Sequence, residues 1–208
     1  VLIGEPPKQV PHLRKQISLP DVDPDTLLKI RAEANFVRTT MHQNILPLVF
    51  FGIDTMSRYL YACTPCYERL QTLRDVVFSD SELPWILRVK ILIDVARALK
   101  HLHRYKVVYA DLRLDSVLVP SVVFDYNTWD GKNAPVNALL CDMGTVGNTC
   151  ITRFKDRPAE TIQILAPELI EEMLKTNTPP KARDPQSDVF CFALLMYSVF
   201  SRVNAFSC

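Results

Sequence analysis

The stretch "VVYADLRLDSVLV", Val107 to Val119, sets acids, a base and a hydroxyl between two apolar runs: Asp111, Arg113, Asp115 and Ser116. A carboxylate can accept a proton or meet a cation, a guanidinium can meet an anion, and a hydroxyl both donates and accepts. A β-hairpin would carry Gly or Asn-Gly here, and neither is present. The stretch is therefore either an ordinary polar turn or a loop that holds reacting groups. Another acid, Asp142, ends the strand-like run "VNALLCDMG". Thiol chemistry has one candidate, the lone C-x-x-C "CTPC" at Cys63 to Cys66. A zinc site needs a second ligand pair, and the four His are not suitably arranged for one. Packing in a core or loop is the plainer reading of these thiols.

The elements that must position these groups follow from periodicity. "HLRKQISL" reads as a short strand. "DPDTLLKIRAEANFVRTTM" reads as a helix capped by Asp25, with Leu27, Leu28, Ile30, Ala34 and Val37 as its apolar stripe. "NILPLVFFGI" and "RYLYACT" read as two strands, and "RLQTLRDVV" as a short helix. "DSELPWILRVKILIDVARALKHLHRY" is the strongest helical pattern, with Pro84 near its first turn. Trp85, Val89, Leu92, Ala96 and Leu99 are expected on its buried face. After the polar loop come a strand, "SVLVPSVVF", a turn-rich segment, "DYNTWDGKNAP", and the strand that ends at Asp142. "APELIEEML" starts a helix, and "SDVFCFALLMYSVF" is so apolar that burial on all sides is expected. Strands with one helix come first and helices dominate afterwards, which predicts an α+β chain of two lobes, the smaller at the N-terminus.

The chain has 208 residues, nearly half of them apolar, with a net charge of +1 from 24 basic and 23 acidic side chains. That composition supports a sizeable core and gives no electrostatic case for nucleic acid. No apolar run is long enough to span a bilayer, and the N-terminus does not read as a signal peptide. The six Cys read as reduced thiols of a cytoplasmic protein. With no initial Met, the chain is expected to be a piece of something longer, and a larger multidomain protein is the expected setting.

Taken together, the motifs resemble those of a eukaryotic protein kinase. "YADLRLDS" resembles H-R-D-L-K-x-x-N, "CDMG" resembles D-F-G, "LAPEL" resembles A-P-E, and "SDVFCFA" resembles the D-x-[WF]-S-F-G helix. "AEANFVRTTMHQNILPL" resembles the helix whose Glu precedes an H-x-N-I turn. Within that family the chain looks most like the Roco, or leucine-rich-repeat kinase, branch. That branch also uses Tyr before the catalytic loop's middle residue, and it also lengthens the stretch up to D-F-G. The resemblance implies one kinase-like domain over 1–208, with a partial N-lobe at 1–64 and a partial, truncated C-lobe at 65–208. It implies ATP and Mg²⁺ as cofactors and a protein substrate or signalling partner.

The resemblance also assigns roles. Asp111 would take the substrate hydroxyl's proton, and Arg113, in place of Lys, would neutralise the γ-phosphate. Lys15 would hold the α- and β-phosphates and pair with Glu33. Ala62 and Thr64 would be nucleotide-binding positions near the lobe boundary. Asp142 and Ser116, the latter in place of Asn, would be the metal ligands. Thr161 would pack the substrate site against Asp111, and Asp188 would brace the catalytic loop. Plainer roles exist beside these: Asp111 as a turn carboxylate, Lys15 and Glu33 as solvated charges, Asp188 as an N-cap, and His101 and His103 as packing or solvent-facing groups.

Several positions depart from the family pattern. Only Gly4 precedes Lys15, so G-x-G-x-x-G and its phosphate-cradling N–H groups are missing. Leu13 stands where the family has the Ala that roofs adenine. Ala110 replaces an Arg that answers phosphorylation, and Met143 replaces an aromatic. "FDYNTWDGKNAP" is expected to project, with Trp129 at its tip as a docking residue. Glu168 is expected to be left without the Arg partner that the family's last helices supply. Two functions follow: an ATP-dependent Ser/Thr kinase of weak activity, or a pseudokinase that serves as an interaction or regulatory module.

Overall fold

The computed structural model describes residues 12–18, 24–54, 56, 59–66, 70–109, 112–120, 137–141, 164–176 and 184–205. Strand β1 is His12–Ser18, helix α1 Pro24–Thr39, β2 Phe50–Asp54 and β3 Tyr59–Pro65. These strands form an antiparallel sheet in the order β1-β3-β2. Then come β4, Leu70–Thr72, the short helix α2, Leu73–Val77, and the long helix α3, Trp85–Arg104. A single 3₁₀ turn, Leu114–Ser116, leads into β5, Val117–Pro120, which pairs with β4 and with β6, Leu139–Leu140. Helices α4, Pro167–Thr176, and α5, Pro185–Ser201, follow. This is the expected α+β arrangement, a β-rich N-lobe with one helix and a helical C-lobe. Among the described residues no helix is long and apolar enough to cross a membrane.

Several expectations are corrected at the level of single elements. "RLQTLRDVV" does not form one helix. Thr72 accepts the Asp75 N–H at 3.2 Å, and Asp75 accepts the Thr72 N–H in return, so the helix starts at Leu73 and the residues before it pair as β4. Helix α1 begins at Pro24, so Asp25 lies inside it, and Leu28 of the expected stripe is exposed while Ala34 is buried. Helix α3 forms as expected, and Leu92 and Leu99 of the expected stripe are buried, with Val89 and Ala96 half-buried. Leu87, Ile91, Asp94, Val95, Ala98 and Leu102 are buried too, whereas Trp85 is 68% exposed. Trp85→Ala is therefore expected to change the unfolding free energy by no more than about 0.5 kcal/mol in a urea titration.

The main core gathers α3, Tyr109, Leu112 and Leu114, β5, β6, Ala34 of α1 and the inner face of α5. Helix α5 is not buried on all sides. Cys191, Leu195 and Val199 face the core, while Val189, Met196, Tyr197 and Phe200 are exposed on the other side. Two arginines fasten the end of α5 to the α2–α3 region. Arg88 donates to the carbonyls of Leu83, at 2.7 Å, and Phe200, at 2.9 Å. Arg202, in the left-handed region at φ 56°, donates to the carbonyls of Val77, at 2.9 Å, and Ser79. The bonds to Val77 and Phe200 satisfy carbonyls that helix ends leave without a partner.

Candidate functional site

The polar loop turns without glycine because Ser116 closes it. The buried Ser116 hydroxyl accepts the Arg113 N–H at 3.0 Å and donates to the Arg113 carbonyl at 2.8 Å. The Ser116 N–H donates to the same carbonyl at 3.0 Å. Leu112 and Leu114 turn into the core on either side of half-buried Arg113. Asp115 faces outward and meets the Arg74 guanidinium of α2, with Nε at 2.8 and 3.0 Å from its two oxygens.

The residues that flank Asp111 and Asp142 in the sequence are bonded to one another. The buried Tyr109 donates its hydroxyl to the Cys141 carbonyl at 2.6 Å, and the Cys141 N–H donates to the Ser116 carbonyl at 2.9 Å. Behind this pair stands Asp188, fully buried on α5. Its Oδ2 accepts the Tyr109 N–H at 2.8 Å and lies 2.7 Å from His103 Nε2. The N-cap of α5 is Asp184, which accepts from the Gln186 N–H, so the capping reading of Asp188 is corrected. His103 is likewise more than a packing residue, because it shares the Asp188 carboxylate.

Strand β6, which runs directly into Cys141, is held from two sides. The Asn44 carbonyl accepts the Leu140 N–H at 2.8 Å, and Asn44 Nδ2 donates to the Ala138 carbonyl at 3.1 Å. Asp94, fully buried in α3, accepts the Ala138 N–H at 3.1 Å and pairs with Lys90 and with Arg97 at 3.5 Å. A lone acid inside the apolar run "ILIDVA" is the sequence signal for this residue, since a buried charge needs partners.

In the N-lobe sheet the register sets Lys15 opposite Ala62 and Leu13 opposite Thr64. Alternate positions of a strand share a face, so the four positions expected at the nucleotide belong to one side of the sheet. Ala62 is buried in the core that also holds Ala34 and Phe51, and Thr64 is half-buried. For Lys15 and Glu33 the structure describes the backbone, in β1 and α1. Asp111, Asp142, Thr161, Ala110, Met143 and Trp129 lie outside the described residues. Of the expected site residues with described side chains, the structure brings Arg113 and Ser116 together. Among the described residues, the H-x-N-I turn joins the N-lobe to this frame, through the parallel bridge of Ile45 to Leu140.

Residues 9–208 match the family described as protein kinase domain. The chain is 24% identical over 199 residues, 88% of its length, to cyclic GMP-binding protein C of Dictyostelium discoideum. It is 27% identical over 179 residues, 84% of its length, to the probable serine/threonine-protein kinase kinX of the same organism. It is 25% identical over 176 residues, 83% of its length, to dual specificity testis-specific protein kinase 2 of Mus musculus. It spans 7%, 14% and 27% of the lengths of these relatives respectively. The crystal structure of a cysteine-to-alanine mutant of the Mycobacterium tuberculosis PknI kinase domain superposes with a TM-score of 0.64 at 18% identity. That match covers 93% of this chain and 64% of the other.

Proposed function

The chain belongs to the protein kinase domain family, and on that premise we propose that it transfers the γ-phosphate of ATP to Ser or Thr of a protein, at low rate. One observation carries this reading. Tyr109, Cys141, Ser116 and Asp188 form a hydrogen-bonded frame that holds the chain on both sides of the segment bearing Asp111 and directly before Asp142. Phosphoryl transfer asks the protein mainly for positioning and charge neutralisation, and a frame that ties together the chain next to both acids supports a positioning role.

The donor set fits a magnesium ion. Asp142 and Ser116 offer hard oxygens, and the Ser116 hydroxyl keeps one lone pair beyond its two bonds to Arg113. Bound Mg·ATP supplies the transferable phosphoryl group. Asp111 orients the acceptor hydroxyl and takes its proton, Arg113 neutralises negative charge, and Lys15 with Glu33 anchors the phosphates. Ala62 and Thr64 flank the base.

Tyr109 in the catalytic loop and the long stretch from Asp111 to Asp142 support placement near the Roco branch. The far longer relatives support a place within a multidomain signalling protein.

A pseudokinase reading is favoured by the commitment of the Ser116 hydroxyl to the Arg113 backbone and by the absent G-x-G-x-x-G. Thermal-shift titration separates the two. Mg·ATP at a hundred times its dissociation constant adds about 2.7 kcal/mol to the folded state. For a chain of this size that is a rise of roughly 5–10 °C in Tm. Asp142→Asn should abolish the rise, and Asp111→Asn should keep it while losing autophosphorylation. No rise at millimolar nucleotide would overturn the enzyme and leave the interaction module.

A further inference from the structure

We propose that His42 is a pH-sensitive latch: its neutral Nδ1 fastens the H-x-N-I turn to Asn44, and protonation of the ring releases β6. The Asn44 N–H donates to His42 Nδ1 at 3.1 Å. A backbone N–H can only donate, so Nδ1 must present a lone pair, and the ring bears its hydrogen on Nε2. A proton arriving at Nδ1 removes the acceptor and sets two N–H groups against each other. Buried Asn44 then loses a bond that holds its backbone in place. That backbone is the partner of β6, through the Leu140 N–H to the Asn44 carbonyl at 2.8 Å and the Leu46 N–H to the Leu140 carbonyl at 2.8 Å. The Asn44 side chain adds the bond to the Ala138 carbonyl. Loosening the turn therefore loosens the strand that runs into Cys141 and Asp142.

The surroundings disfavour a cation on this ring. The His101 ring of α3 lies against it, with centroids 4.6 Å apart, and Tyr105 closes over His101 at 5.2 Å. His101 Nε2 is buried with no hydrogen-bond partner among the described residues. The charged groups facing His42 from α3 are Arg97, which opposes a cation, and Asp94, which favours it but is already paired with Lys90 and Arg97. From α1, Phe36 reaches the cluster as an uncharged ring against Tyr105. Burial is the largest of the causes that push the His42 pKa below its ordinary 6.5, followed by His101 and Arg97, with Asp94 opposing. The folded chain therefore binds fewer protons here than the unfolded chain. The latch contributes its full stability above the ordinary value and loses it as pH falls through the lowered one.

The test uses the full chain, without nucleotide, so it stands apart from phosphoryl transfer. His42→Asn keeps an acceptor for the Asn44 N–H, as in an Asx turn, and cannot titrate. Between pH 7.5 and 5.0 the wild type should lose about 2–4 °C more in Tm than this variant, with parallel curves above pH 7. Amide exchange at Asn44 and Leu140, corrected for its intrinsic pH dependence, should quicken in acid only in the wild type. Parallel Tm curves throughout, or exchange at these amides indifferent to the variant, would overturn the latch. His101→Gln provides a second line. By NMR it should raise the midpoint at which the His42 ring titrates, and an unmoved midpoint would count against the stacked-ring mechanism.

Discussion

Asp188→Ala is expected to lower the unfolding free energy by about 3–5 kcal/mol, the usual loss when one partner of a buried polar cluster is removed. Oδ2 of this fully buried carboxylate receives both the Tyr109 N–H and His103. Alanine leaves the Tyr109 N–H without an acceptor inside the core, and that alone costs about 1–3 kcal/mol. These two bonds end on Oδ2, so Asp188→Asn, with its carbonyl in that place, should be milder than alanine. Equilibrium denaturation of the two variants checks this. If alanine and asparagine proved equally mild, Asp188 would not be bracing the loop. The effect should extend to function, because Tyr109 also carries the hydroxyl bound to Cys141, one residue before Asp142.

Leu102→Ala is the second large effect, at about 2–5 kcal/mol. Leu102 is fully buried in the last turn of α3, and its carbonyl accepts the N–H groups of Tyr105 at 2.9 Å and Val107 at 3.1 Å. Those backbone bonds survive the substitution, so the loss measures the removed apolar burial together with the cavity it leaves. Leu102→Met, which nearly conserves volume, should cost less than about 1.5 kcal/mol. Urea midpoints that ranked methionine as badly as alanine would mean that this site demands shape as well as volume.

The kinase fold is legible in the sequence because it rests on features that a sequence displays openly: alternating strands, long apolar helices and short motifs in order. The buried face of α3 is legible only in part. "WILRVKILIDVARALKHL" is apolar on more than one side, so the expected stripe includes the buried Leu92 and Leu99 but takes in exposed Trp85 and misses Leu87, Ile91 and Ala98. It also misses Asp94, a buried charge with Ala138, Lys90 and Arg97 as partners. Periodicity counts apolar residues and is blind to a buried ion. The motif positions at the candidate site are readable as residue types. Their wiring is not, because it joins residues far apart in the chain, such as Tyr109 to Cys141 and His103 to Asp188. Asp188 reads as a cap by its place at the head of an apolar run, but Asp184, followed by Pro185, makes the better helix start. Ser116 illustrates a third limit: position alone makes its hydroxyl a metal ligand, while its work in closing the turn depends on a backbone geometry that no spacing reveals.

The seam formed by Arg88 and Arg202 at the end of α5 has a consequence for how the molecule comes apart. A guanidinium stays charged throughout the range in which imidazoles titrate, so mild acid leaves this fastening untouched. The His42 junction softens under the same conditions. Acidification should thus yield a half-open species, strand β6 frayed while the terminal helix remains docked, instead of a chain that melts in one step.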